Sequence, residues 1–307
     1  MLPRYVNSDD KFPSTAGNSL YSEQEISLVK INIGQSAGNH HGPFWSPDES
    51  SETTHGLSNQ WLNWLTGLIE ADGSFPYVKK SSLSFYISQS TINASLLYAI
   101  RYWLGFGKIR WQPSENMVHY IIEDIPSLFN LAKLINGRFR TEGKFEAYLK
   151  FVNRLNKKSK VKDPVIVKPL NLVLDYSWLS GFTEGDGSFF IGLGQTPKSK
   201  LGVQLTCNIA WTQKHKKPLD LIASEFGGGF SYNKSLKFWV LTIKRQSEIK
   251  NLLFSVFVNN PIYGIKRLDY LDLVTVCEMF KTKQHLTESG LDLILKIRSN
   301  MNARRKV

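Results

Sequence analysis

Two aspartates, Asp72 and Asp186, have the types and spacing best suited to chemistry, because each closes one copy of a repeated phrase. The segment LTGLIEADG at residues 65–73, preceded by Trp64 and followed by Ser74-Phe75, recurs as LSGFTEGDG at 179–187, preceded by Trp178 and followed by Ser188-Phe189. Two copies imply two similar modules, each ending an apolar helix with a carboxylate in front of a glycine. Small residues four apart, Gly67 and Ala71 in one copy and Gly181 and Gly185 in the other, favour packing of the two helices on each other over tight packing within each module. Mutual packing would bring Asp72 and Asp186 together at two helix C-termini. That end of a helix is already negative, and two carboxylates there repel unless a cation joins them. Oxygen donors in a chain with only six histidines suit Mg²⁺ better than zinc. A carboxylate-held metal beside a basic surface can hydrolyse phosphodiesters by activating water and stabilising the leaving oxygen. Glu70 and Glu184, two residues earlier, point elsewhere on their helices and are expected to form caps or salt bridges.

The elements that must position these acids follow from hydrophobic period and breakers. Trp61 to Ala71 reads as a helix that Gly73 is expected to stop in a left-handed conformation. Phe75 and Tyr77 share one strand face, and Leu83, Phe85 and Ile87 share one face of the next strand. Pro76 should weaken pairing of that first strand. Asn93 to Leu104 is helical, Gly107 to Gln112 and Met117 to Glu123 form a hairpin, and Ile125 to Ile135 and Glu142 to Asn156 are helical. The order then repeats: strands at Ser188 to Gly194 and Val203 to Thr212, a helix at Lys217 to Phe226, strands at Gly229 to Asn233 and Leu236 to Lys244, and helices from Ser247, Arg267 and Thr287. The fold class is α+β with antiparallel sheets. Residues 58–157 form the first domain, 158–176 a lysine- and proline-bearing linker, and 177–307 the second domain.

Composition fits a polyanionic partner. The 307-residue chain carries a net charge of +12. Residues 1–60 hold 3 basic and 7 acidic side chains, leaving 35 basic against 19 acidic in the remainder. A basic surplus of this kind draws phosphate-rich partners by releasing counterions. No run of 18 apolar residues suggests a membrane span, and the N-terminus does not read as a signal peptide. Two cysteines are too few for a disulfide framework or a cysteine-based zinc site. Residues 1–57, rich in Ser, Asn, Gly and Pro, read as a poorly ordered extension. Its acidity argues against an arginine-rich presequence, so a protein working in an organelle would be made there.

The doubled pattern Leu-x-Gly-x-x-Glu-x-Asp-Gly-Ser-Phe resembles the LAGLIDADG homing endonucleases, in their single-chain, two-repeat, organellar intron-encoded form, over about residues 58–285. The resemblance implies a pseudo-twofold monomer of two αββαββα units, each with a four-stranded antiparallel saddle-shaped sheet, joined at the paired motif helices and lying along the major groove of double-stranded DNA. It implies a site-specific endonuclease using Mg²⁺, with Asp72 and Asp186 and the carbonyls of Ala71 and Gly185 as metal ligands. Gln89, Gln213 and Lys266 match the family's auxiliary positions around the hydrolytic water. For the first repeat's basic auxiliary, Arg140 and Lys144 both qualify. Strand alternation then assigns the groove face to Ser74, Val78, Lys80, Ser82, Ser84, Tyr86, Ser88, Lys108, Arg110, Gln112 and His119. The counterparts in the second repeat are Lys198, Lys200, Gln204, Thr206, Asn208, Ser231 and Asn233. Two faces differing in sequence imply a long, only roughly palindromic target. The family also implies residence in a mitochondrion, with a chloroplast as the other organelle. The alternative is an intron maturase that binds RNA to assist splicing, although intact acids in both motifs favour cleavage.

Overall fold

A computed structural model of the chain describes residues 57–76, 83–159 and 163–305, all within one compact unit. The extension at 1–56 and the groove-face positions Val78, Lys80 and Ser82 lie outside the described residues.

Helix α1 (Asn59–Asp72) begins where the Ser58 hydroxyl accepts the Trp61 N–H, and runs directly into β1 (Gly73–Ser74). Strand β2 (Phe85–Ser90), α2 (Ala94–Leu104), β3 (Lys108–Gln112), β4 (Met117–Ile122), α3 (Ile125–Ile135) and α4 (Glu142–Ser159) follow. The second unit repeats the plan with α5 (Tyr176–Asp186), capped by Asp175 on the Trp178 N–H. It continues through β5 (Gly187–Gln195), β6 (Val203–Gln213), α6 (Lys217–Phe226), β7 (Gly229–Asn233) and β8 (Phe238–Ile243). Helix α7 starts at Gln246, passes through a π-helical turn at Leu252–Val256 and ends at Asn259; α8 (Lys266–Lys281) and α9 (Glu288–Ser299) follow. The two antiparallel sheets have matching orders, β1-β2-β4-β3 and β5-β6-β8-β7. Pairing of β1 stops at Ser74, ahead of Pro76.

One face of each sheet is apolar and buried: Phe85, Ile87, Val118 and Tyr120 in the first, and Phe189, Ile191, Cys207, Ile209, Trp211, Leu241 and Ile243 in the second. The second set joins Trp178, Leu179 and Phe182 of α5 and the apolar side of α8 in one core. The free edge of β5 is covered by the C-terminal segment, where Arg298 Nε donates to the Ile191 carbonyl and Asn302 Nδ2 to the Phe189 carbonyl. Arg305 holds that segment down through buried ion pairs with Asp269 and Asp272.

The motif helices pack on each other as their small residues suggested. A Cβ on Gly67 would lie 2.1 Å from the Trp178 carbonyl oxygen, and one on Gly181 only 1.8 Å from the Trp64 carbonyl oxygen. Only hydrogen fits at either position, so the two backbones touch. The expected left-handed glycine stop is wrong. Gly73 (φ −73°, ψ 155°) and Gly187 (φ −84°, ψ 160°) are extended, and space rather than backbone angle requires glycine. A Cβ on Gly73 would meet the Ile69 carbonyl oxygen at 2.6 Å, and one on Gly187 the Thr183 methyl at 2.4 Å.

Candidate active site and nucleic-acid interface

The C-termini of α1 and α5 meet where each helix runs directly into the first strand of its sheet. A Cβ on Gly185 would stand 2.4 Å from the Ala71 Cβ and 2.8 Å from Asp72 Oδ2, so the glycine lets one acidic terminus approach the other. Each aspartate is steadied by a glutamine from the second strand of its own unit. Gln89 Nε2 donates to Asp72 Oδ2 at 2.7 Å, and Gln213 Nε2 donates to Asp186 Oδ2. Two lysines reach the same place from the first turns of later helices. Lys266 Nζ donates to the carbonyls of Thr183 (3.0 Å) and Gly185 (2.9 Å), and Lys144 Nζ to that of Gly73. Lys144, not Arg140, is therefore the first-unit counterpart of Lys266. Arg140 is turned away, its guanidinium donating to the Val173 and Arg138 carbonyls and lying over the Trp178 ring.

The two motif glutamates build the lysine supports. Glu70, buried, accepts the backbone N–H groups of Arg140 and Thr141 ahead of α4; Glu184, buried, accepts those of Tyr263 and Gly264 ahead of α8. A carboxylate at a helix N-terminus satisfies otherwise orphaned donors and complements the positive end of the dipole. Both act as caps, one of the two roles expected for them. The symmetry breaks at the indoles. Trp178 Nε1 donates to Glu70 Oε2 across the interface, whereas Trp64 Nε1 and Glu184 Oε2 have no hydrogen-bond partner among the described residues, and the Trp64 ring meets Tyr263 edge-on at 4.9 Å.

Burial and crowding set the electrostatics. Asp186 is pushed up to about 7, first by burial and then by the Asp72 carboxylate, against the pull of Lys266, Lys144 and Gln213. Burial also raises Asp72, opposed by Gln89, Lys266 and Lys144. Glu184 is raised by burial to about 7. Burial lowers both lysines, while Asp72 and Asp186 favour their charged forms. Among the described residues no group of three or more His, Cys, Asp or Glu could hold a metal ion. The donor set is instead two crowded carboxylates with main-chain carbonyls beside them, all oxygen, which fits a hard divalent cation and not zinc. The Gly185 carbonyl already accepts from Lys266.

The opposite faces of the sheets carry the expected polar rows. In the first sheet Ser74 pairs with Tyr86, Ser88 with His119, and His119 in turn with Arg110; Lys108 and Gln112 flank them. Ser88 Oγ, His119 and Gln112 are hydrogen-bonded in a row, Arg110 is exposed, and Lys108 pairs with Glu123. In the second sheet Gln204, Thr206 and Asn208 share a face of β6, Ser231 and Asn233 are exposed on β7, and Lys198 and Lys200 are exposed in the β5–β6 turn. Two positions need correction. Ser84 precedes β2 and is 6% exposed; Asn208 is 2% exposed, folded back through Nδ2 onto Thr206. Alternation fixes the side of a sheet but not the depth of a side chain, so both lie below the surface that the row presents. Asn93 was not foreseen: this buried amide receives the Ile265 N–H of the other unit and donates to Gln89.

The family model for LAGLIDADG endonucleases matches residues 65–155 and 179–277, one copy over each unit. The chain belongs to the LAGLIDADG endonuclease family. This LAGLIDADG protein is 29% identical over 272 residues to the probable intron-encoded endonuclease 4 of Neurospora crassa, covering 88% of this chain and 49% of that one. It thus spans about half the length of that relative. It is also 24% identical over 192 residues to the intron-encoded RNA maturase bI4 of Saccharomyces cerevisiae, over 62% of this chain and 28% of that one. Among solved structures, the LAGLIDADG meganuclease I-AabMI bound to uncleaved DNA superposes with a TM-score of 0.64 at 26% identity, covering 80% of this chain and all of that one. No helix among the described residues is long and apolar enough to cross a membrane.

Proposed function

We propose that this LAGLIDADG protein is a monomeric, site-specific endonuclease that cuts both strands of a long, roughly palindromic DNA target with Mg²⁺ and thereby promotes homing of its intron in a mitochondrion or chloroplast. What carries the reading is the pair of aspartates at touching helix C-termini, each held by its own glutamine and flanked by a half-buried lysine. Asp72 and Asp186, with the carbonyls of Ala71 and Gly185, would hold the metal. Bound there, it supplies activation of water and stabilisation of the leaving oxygen. The chain's own groups do the rest. Gln89 and Gln213 fix the carboxylate oxygens by donating to them. Lys144 and Lys266 place positive charge beside the developing phosphate charge, where a water-poor setting strengthens it. Two half-sites related by pseudosymmetry address the two strands.

Ser74, Tyr86, Ser88, Lys108, Arg110, Gln112 and His119, with Lys198, Lys200, Gln204, Thr206, Ser231 and Asn233, form the groove surface. Antiparallel ribbons fit the major groove, with Arg to guanine and Gln or Asn to adenine as the base-edge pairings. The relationship to an RNA maturase supports a second reading, intron RNA bound for splicing. Incubation with Mg²⁺ and a plasmid carrying the uninterrupted host-gene junction separates them. Linear product at the junction is expected; no cutting, with rescue of splicing by the protein, would establish the maturase instead.

A further inference from the structure

The two half-sites are not held alike, and the difference lies four residues beyond each glutamine. In the first unit that residue is Asn93, 4% exposed. Its Oδ1 accepts the Ile265 N–H at the start of α8 (2.9 Å), its Nδ2 donates to Gln89 Oε1 (2.9 Å), and Gln89 Nε2 donates to Asp72 Oδ2 (2.7 Å). In the second unit the same offset from Gln213 gives Lys217, an exposed side chain whose ammonium pairs with Glu142 at the start of α4 (2.7 Å). No described residue donates a hydrogen bond to Gln213 Oε1.

The direction of the first chain is dictated, not chosen. A backbone N–H can only donate, so Asn93 must turn its oxygen to Ile265 and its amino group to Gln89. Gln89 must then present its own amino group to Asp72. A flipped Gln89 would put a carbonyl oxygen against a carboxylate. Gly264 shows how closely the junction is packed: a Cβ there would lie 2.7 Å from Asn93 Oδ1 and 2.5 Å from Glu184 Oε2.

We propose that Asn93 is a positioning residue through which the second unit fixes the Gln89 amide, so that the Asp72 half-site is oriented by its partner unit while the Asp186 half-site is not. The functional part rests on the endonuclease reading; the relay itself does not. Asn93→Leu removes both hydrogen bonds at similar volume, and Asn93→Asp keeps the acceptor for Ile265 while withdrawing the donor to Gln89, which covers the case in which the first variant fails to fold.

Two measurements test the proposal. In metal-free, DNA-free protein, side-chain amide NMR should show the two Gln89 N–H signals moving toward the shifts and faster water exchange of a free glutamine amide in either variant while those of Gln213 stay put; an unchanged Gln89 pair overturns the relay whether or not the protein cuts DNA. On a supercoiled target plasmid with Mg²⁺, one strand should be cut roughly tenfold or more slowly, in line with losses on removing groups that orient metal ligands, so that nicked circles accumulate with the nick in one strand. Adding Asn93→Leu to Gln89→Leu should cost nothing further, because non-additivity marks residues acting through one contact. Equal slowing of both strands, or additive losses, would make Asn93 merely structural. Lys217→Ala should leave both strands cut as before. Absence of cutting by the unsubstituted protein would defeat the endonuclease reading and leave the NMR result to decide the relay.

Discussion

Replacing Asp186 with asparagine should make the metal-free protein more stable while removing its cleavage activity. The carboxyl group is raised from 3.8 to about 7 by burial and by Asp72. Between those values the folded state holds a proton that the unfolded chain has released, so unfolding is favoured as pH rises, and the penalty is complete above about pH 7. At about 1.4 kcal/mol for each unit of pH, the two units between pH 5 and pH 7 are worth roughly 3 kcal/mol. Asparagine does not titrate and escapes that slope. The gap in unfolding free energy between Asp186→Asn and the parent should therefore widen by about 1–3 kcal/mol from pH 5 to pH 8, with 3 an upper bound because partial solvent access weakens the effect. Equilibrium urea unfolding at both pH values, without divalent cations, measures it. Adding Mg²⁺ at pH 8 should stabilise the parent and not the variant, because ligand binding to the folded state adds stability by mass action. A gap that stays constant or shrinks as pH rises would mean that Asp186 is not buried against a second carboxylate at this junction.

Three further outcomes follow from the same geometry. Gly181→Ala would place a methyl 1.8 Å from the Trp64 carbonyl oxygen; backbone cannot yield as a side chain does, so thermal melting should report a loss at or above the usual ~1–3 kcal/mol of overpacking, while Gly143→Ala, with nothing within 4 Å, should be neutral or stabilising. Arg305→Leu should cost about 3–5 kcal/mol in urea unfolding, because it removes the guanidinium that pairs with the buried carboxylates of Asp269 and Asp272. Arg110→Ala, on the exposed face of β3, should weaken target binding; a loss of about 1–3 kcal/mol confined to one base position marks a base contact, and a uniform loss with a salt slope smaller by about one marks a phosphate contact.

Most of the architecture was legible because the elements are locally consistent. Helices α3 and α6 and strand β7 fall where period and breakers placed them, and the small residues of the motif announced the helix contact. The π-helical turn within α7 left no such mark. Gly73 and Gly187 were misread for a physical reason. Sequence signals that only glycine fits but cannot say whether a left-handed angle or a neighbouring atom demands it. Ser84 and Asn208 show that alternation yields a face without yielding exposure. The choice between Arg140 and Lys144 needed the direction of α4, set by the Glu70 cap. Asn93 could not be found at all, since its partner Ile265 lies 172 residues away and nothing local distinguishes it from a helix-capping asparagine.

In the proposed function, Asp72 and Asp186 form one shared metal-dependent centre for cutting DNA. Its most direct test is a cleavage time course on the uninterrupted host-gene junction with Mg²⁺, run for the parent protein and for Asp72→Asn, with binding to the same DNA measured in Ca²⁺. Linear product is expected from the parent, no double-strand product from Asp72→Asn, and retained binding by both. Full cutting by Asp72→Asn would contradict the shared centre.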